Sequence, residues 1–160
     1  MDSRGKGPAL EVRPEVNSPR ASTVVLYDGV CGLCNRLNRF LLRRDRHGRI
    51  LFAALQGQVA RETLARHKAN PSDLDTVYVM ADWQTPRERA LSRSRGVLYA
   101  VGQLGGGWKI LATLGTLVPP PLADLAYRLV ARNRYRIFGK YDSCPIPPPE
   151  WRARFLDHSS

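Results

Sequence analysis

No stretch of this 160-residue chain approaches the roughly 18 uninterrupted apolar residues that a membrane-crossing helix requires. Residues 1–22 mix Arg, Glu, Pro, Ser and Gly without a hydrophobic run, so no ordinary secretory signal peptide is expected there. Asp2, Glu11 and Glu15 speak against an organellar transit peptide, and the segment reads as a disordered tail. No internal repeat is present. Cysteine is scarce, with three residues, and the odd count leaves at least one thiol unpaired if the others bridge. With no export signal, these thiols are expected in a reducing, cytoplasmic compartment. There, structural disulfides are rare and paired thiols are more often catalytic or metal-binding. A second C-x-x-C and an H-x-x-x-H are both missing, and His47, His67 and His158 are far apart in sequence.

What is present suits one domain, residues 23–158, with an apolar fraction of 43%, near the globular average. The net charge is +11. The tail contributes little of it: Arg4, Lys6, Arg13 and Arg20 stand against three acids. The remaining positive charge is spread, from Arg36, Arg39, Arg43, Arg44, Arg46 and Arg49 to the stretch 128–140. It reads as a solvated basic surface, with nucleic acid or anionic lipid as the alternative partner. Trp83, Trp108 and Trp151 are far apart and not interleaved with basic clusters, so they read as packing residues rather than a base-stacking platform.

Residues 24–27 form an unbroken apolar run, the pattern of a strand covered on both faces. After Asp28-Gly29 a helix is expected, with Leu33, Leu37, Phe40 and Leu41 as its stripe and a stop near His47-Gly48. Cys34 falls within that stripe, whereas Cys31 is expected at an exposed first turn. A second strand at 50–55 and a weaker helix at 58–68, with Val59, Ala60 and Leu64 inward, come next. A third strand follows at 76–81, and 87–92 returns antiparallel. Ser94 is the expected N-cap of a helix carrying Val97, Leu98, Val101 and Leu104. Trp108, Leu111, Leu114 and Val118 mark a short amphipathic piece. Pro121 is placed to open a longer helix with Leu122, Leu125, Leu129 and Val130 inward, closing near Gly139. Arg132, Arg134 and Arg136 suit its negative end. The Pro-rich residues 141–160 are expected to lie over the surface. The order is that of an α/β, thioredoxin-like βαβ-ββα core with an appended C-terminal helical segment.

The chemistry is concentrated at Cys31-Gly32-Leu33-Cys34, where the first strand passes into the first helix. A helix start offers unpaired N–H groups and a positive dipole end, and both stabilise a thiolate. Such positions lower a cysteine pKa to roughly 3.5–7.5. Cys31 is then the expected nucleophile and Cys34 the resolving thiol. Asp28 has two compatible readings: capping the helix through backbone N–H groups, or, if buried, passing a proton to and from Cys34. Cys144 is either a spare loop thiol or a third redox partner.

The run Tyr27-Asp28-Gly29-Val30-Cys31-Gly32-Leu33-Cys34-Asn35 resembles the signature of the DCC family of predicted thiol-disulfide oxidoreductases, named for Asp-x-x-Cys-x-x-Cys. Tyr127-Arg128 with Ala131-Arg132-Asn133-Arg134-Tyr135-Arg136-Ile137-Phe138-Gly139 is similar to that family's C-terminal helix, and Asp142-x-Cys144-Pro145 to its tail. The resemblance spans roughly residues 23 to 156. It implies thiol–disulfide exchange without a cofactor, on disulfide-containing proteins or low-molecular-weight thiols, with an unnamed electron donor. Thioredoxins also carry a proline facing the cysteine pair, and Pro86 is the proline in a comparable region. Two other classes stay open: a small zinc-binding module holding metal through the same cysteines, and a basic nucleic-acid or lipid binder.

Overall fold

The structure, a computed structural model, describes residues 22–158 apart from Pro71 and Leu74; the N-terminal tail expected over residues 1–22 thus lies outside the described residues, save Ser22. Three apolar segments of the chain form the sheet interior. Strand β1 (Thr23–Tyr27) is buried along its whole length and lies between β2 (Ile50–Ala54), parallel to it, and β3 (Tyr78–Ala81), antiparallel. Strand β4 (Arg89–Ser92) completes the order β2-β1-β3-β4. Alternate residues of β1 feed two cores. Val25 and Tyr27 pack with Phe52, Leu41 and Val79 on one side; Val24 and Leu26 pack with Leu51, Leu64 and Met80 on the other. Burial on both faces is why the strand reads as an unbroken apolar run rather than an alternation.

Helix α1 (Gly32–Arg44) and α3 (Arg93–Gly102) contribute to the first core, and α2 (Gln58–Arg66) to the second. This is the thioredoxin-like α/β core. Helices α4 (Gly106–Thr116) and α5 (Pro120–Phe138) follow as the appended helical segment. Gly105 supplies the positive φ of 74° that turns the chain from α3 into α4.

Several local expectations give way to tertiary contacts. Ser92, not Ser94, precedes α3; the Ser94 hydroxyl donates to Asp124 Oδ1 at 2.8 Å and ties α3 to α5. In α5 the stripe Leu122, Leu125, Leu129 and Val130 is exposed. The helix instead turns Tyr127 and Arg134 inward, because the Tyr127 hydroxyl accepts from the Val77 N–H at 2.9 Å and Arg134 pairs with buried Asp28. Likewise Leu111 and Leu114 in α4, and Val118 just beyond it, are exposed, while Ala112 is buried and Gly115 packs on Leu98. Trp108 makes an edge contact with Phe40 at 5.0 Å.

Much of the Pro-rich end lies exposed over the surface, as expected, but its last described residues enter the core. Phe155 is buried, stacks on Phe52 at 5.2 Å and meets the Tyr27 ring edge-on. The Ala54 N–H donates to Asp157 Oδ2 at 2.7 Å, and Arg154 Nε donates to the Ile50 carbonyl at 2.8 Å. Strand β2 lies at the sheet edge, and the tail pairs its outer side, with Phe155 forming a parallel bridge to Phe52. Covering such an edge removes a template for aggregation, which is why this tail docks.

Candidate active site

The site is assembled at the C-terminal end of β1. There the chain makes a tight turn, with the Cys31 N–H donating to the Asp28 carbonyl at 3.2 Å, and enters α1. Cys31 is itself the N-cap: its Sγ accepts from the Cys34 N–H at 3.4 Å. The capping reading of Asp28 is therefore not what the fold adopts. Asn35 donates to the carbonyls of Gly29 and Cys31, both at 2.9 Å, and so braces the turn.

Both sulfurs are buried, and here the expectation of an exposed Cys31 fails: its fractional exposure is 0%. The cover is the segment following α5. Gly32 N–H donates to the Gly139 carbonyl at 3.1 Å, Tyr141 N–H donates to the Val30 carbonyl at 2.8 Å, and Cys31 pairs with Lys140 as an isolated antiparallel bridge. This strap approaches so closely that a Cβ on Gly32 would lie 2.1 Å from the Phe138 carbonyl oxygen. Only glycine fits at that position of the C-x-x-C. Lys140 Nζ sits 5.2 Å above the Tyr135 ring, and Arg36 lies 5.5 Å above Phe138, which further fastens the segment.

The two thiols are driven apart in acidity. Cys31 is lowered from an ordinary value near 9 to about 6. The hydrogen bond from the Cys34 thiol is the largest influence, working against burial, and the Cys34 N–H and the Arg134 charge add to it. Cys34 moves the other way, because it donates to Cys31, is buried and faces the Cys31 charge. One sulfur holds the charge and its neighbour holds the proton.

Asp28 lies beneath them with its side chain fully enclosed. Oδ1 accepts from the Val30 N–H at 3.2 Å and from Gln56 Nε2 at 2.9 Å. Oδ2 accepts from the Tyr135 hydroxyl and from Arg134 Nη2 at 3.4 Å. Four donors satisfy the carboxylate, as a buried charge requires. Arg134 is 3% exposed and also reaches Asp75 at 3.3 Å. Arg134, Tyr135 and Gln56 were not singled out as site residues by the sequence reading, which placed Arg134 among solvated arginines at a helix end. The signal available was the spacing of Tyr127, Arg134 and Phe138 along one side of α5, close to helical periodicity.

Cys144 stands on the other side of the turn. Its Sγ lies 4.0 Å from the Tyr27 hydroxyl and would be 2.8 Å from a Cβ on Gly29; burial pushes its thiol up. Pro86 lies away from the cysteines. It follows β3 at the Ala81 end, which pairs with Thr23 at the start of β1, whereas the cysteines follow the end of β1. Val77, before β3, packs in the cysteine core instead. Among the described residues, no three or more His, Cys, Asp or Glu side chains are grouped to hold a metal ion, and His67 lies 2.6 Å from Glu88. Two cavities, of about 530 Å³ beside α3 and α4 and about 1300 Å³ beside α2, are lined by no cysteine.

Comparison with known proteins agrees with this geometry. The chain is 33% identical over 133 residues to the uncharacterized protein YuxK of Bacillus subtilis (strain 168), covering 83% of this chain and 93% of that protein. It is 32% identical over 123 residues to the DCC family protein At1g52590, chloroplastic, of Arabidopsis thaliana, covering 77% and 69% respectively. No solved structure matches. The family model for DCC1-like thiol-disulfide oxidoreductase matches residues 25–140, from the site strand to the residue paired with Cys31. Cys144 falls just outside that span, while both cysteines of the C-x-x-C, Asp28 and Arg134 fall within it. The chain belongs to the DCC1-like thiol-disulfide oxidoreductase family.

Proposed function

We propose that this chain is an enzyme exchanging disulfides with proteins or low-molecular-weight thiols, with Cys31 attacking, Cys34 resolving and Asp28 handling the proton. The carrying observation is the opposed acidity of two sulfurs sharing one helix start, with Cys31 lowered to about 6 and Cys34 raised. At neutral pH the nucleophile is then charged while the second thiol keeps its proton until needed.

In the reducing direction the Cys31 thiolate attacks one sulfur of a substrate disulfide. A mixed disulfide forms and the other substrate sulfur leaves as thiolate. Cys34 then loses its proton and attacks Cys31 Sγ. The mixed disulfide breaks, the second substrate sulfur leaves, and a Cys31–Cys34 disulfide remains. The substrate gains two electrons, and an external thiol returns them to the protein. Asp28, within electrostatic reach of Cys34, accepts the Cys34 proton, with the Tyr135 hydroxyl on the same carboxylate oxygen. We place the reaction in a reducing, cytoplasmic compartment, where paired thiols are more often catalytic than structural.

Insulin-disulfide reduction with dithiothreitol tests the assignment. Cys31→Ser should lose the acceleration, and Cys34→Ser should accumulate a mixed disulfide visible by mass spectrometry. Full activity in Cys31→Ser, or an alkylation midpoint for Cys31 near 9, would discard the reading. Asp28→Asn should change the pH profile of the resolving step; an unchanged profile removes Asp28 from proton transfer. Peptide mapping of the oxidised protein should find Cys31 bridged to Cys34 and Cys144 free.

A further inference from the structure

Helices α4 and α5 each carry an apolar stripe that the described residues leave exposed. Ile110, Leu111, Leu114, Leu117 and Val118 recur at i, i+1, i+4, i+7 and i+8 on α4 and just beyond its end. Leu122, Leu125, Leu129 and Val130 continue at i, i+3, i+7 and i+8 on α5. Exposure reaches 75% at Leu117, 66% at Ile110 and 58% at Leu122. Single exposed leucines are ordinary, but nine large apolar side chains exposed between residues 110 and 130 mark a contact surface. The charges around it are of one sign. Between residues 106 and 140 the only acid is Asp124, and its carboxylate accepts from Ser94 on α3. Lys109, Arg128, Arg132 and Arg136 are all exposed.

We propose that this face docks the protein on an anionic lipid surface, with the α4–α5 corner lying in the interface and the cations meeting phosphate headgroups. An apolar stripe whose own helices carry exposed cations and a single, half-buried acid suits that partner. A second copy fits less well, since a two-fold contact would bring Lys109, Arg128, Arg132 and Arg136 against their own equivalents. Spanning is a different arrangement: no single helix is long and apolar enough to cross a membrane, and α4 and α5 are bent by 110° at their junction. The proposal does not depend on the thiol chemistry.

Co-sedimentation of the full chain with vesicles of phosphatidylcholine, with and without phosphatidylglycerol, tests it. The protein should partition onto the phosphatidylglycerol vesicles, and a Cys31→Ser protein should do so equally. Leu117→Ser/Leu122→Ser should weaken partition by at least about tenfold. Arg128→Gln/Arg132→Gln should weaken it roughly fivefold per charge removed, on anionic vesicles. Both variants should keep the Cys31 alkylation midpoint of the parent, as folded proteins would. Absence of vesicle binding overturns the proposal. So does binding that survives the leucine substitutions, which would be adsorption by net charge alone. Self-association abolished by the same leucine substitutions, without vesicle binding, would assign the face to a second copy and also overturn it.

Discussion

At the scale of single residues, the reading of this site turns on Arg134. A guanidinium buried beside Asp28 and facing both sulfurs is worth more than the same group in water, because the surrounding dielectric is lower. Removing it alone would strand the Asp28 charge, so the informative variant is Arg134→Met/Asp28→Asn, which withdraws both charges together. Cys31 should then titrate slightly above the parent, by less than about one unit, because the Arg134 charge ranks below the Cys34 hydrogen bonds and loss of the Asp28 charge acts the other way. Alkylation rate against pH reads this out. An unmoved midpoint would leave the Cys34 hydrogen bond and the helix start as sufficient. Arg134→Lys should restore much of the shift, although its shorter side chain must bring one nitrogen to where Nη2 meets Asp28, Asp75 and Tyr135. The sequence offered Cys31, Cys34 and Asp28 by motif and spacing. It did not single out Arg134, because an arginine among arginines stands out only through its helical spacing from Tyr127 and Phe138.

Among elements, the strap after α5 governs access. Gly139, with φ of 81°, ends the helix and turns residues 139–141 across the start of α1. The strap leaves Cys31 both acidic and covered, which separates readiness to react from the chance of meeting a substrate. Tyr141→Pro removes the N–H that donates to the Val30 carbonyl. Alkylation of Cys31 at fixed pH should then accelerate severalfold, with its midpoint unchanged. A midpoint that moves with the rate would mean the strap tunes acidity rather than access. Strand β1, α1 and the glycine at the end of α5 were readable from periodicity and turn residues. The facing of α4 and α5 was not. Their leucine stripes predict burial, but a hydrogen bond accepted by Tyr127 from the Val77 N–H and one donated by Arg134 to Asp28 hold α5 turned the other way.

For the molecule as a whole, the thiol pair links stability to pH. In the reduced protein Cys31 is ionised above about 6, whereas in the unfolded chain it keeps its proton to about 9. The unfolded state therefore binds more protons between these values. The contribution of Cys31 is complete above 9, falls as pH drops, and is gone below 6. Cys34 acts in the opposite sense. Its folded value lies above the unfolded one, so above pH 9 unfolding releases a proton and stability declines. Reduced protein should accordingly show urea midpoints that rise from pH 6 toward 9, relative to Cys31→Ser. Parallel curves for the two proteins across that window would contradict a native thiolate. Raising the pH further should reverse the trend, and less steeply in Cys34→Ser, where only Cys144 and the buried tyrosines still release protons on unfolding.

By itself the sequence determined the element order, the two-faced burial of β1 and the position of a C-x-x-C at a helix start, since these follow from periodicity, turn chemistry and spacing along the chain. Tertiary structure alone decided that Cys31 caps its own helix under a strap, that Asp28 is held by groups from α5 more than 100 residues away in sequence, and that the end of the chain seals the edge of β2. Those outcomes depend on which buried polar groups find partners across the fold, a pairing that no local pattern encodes.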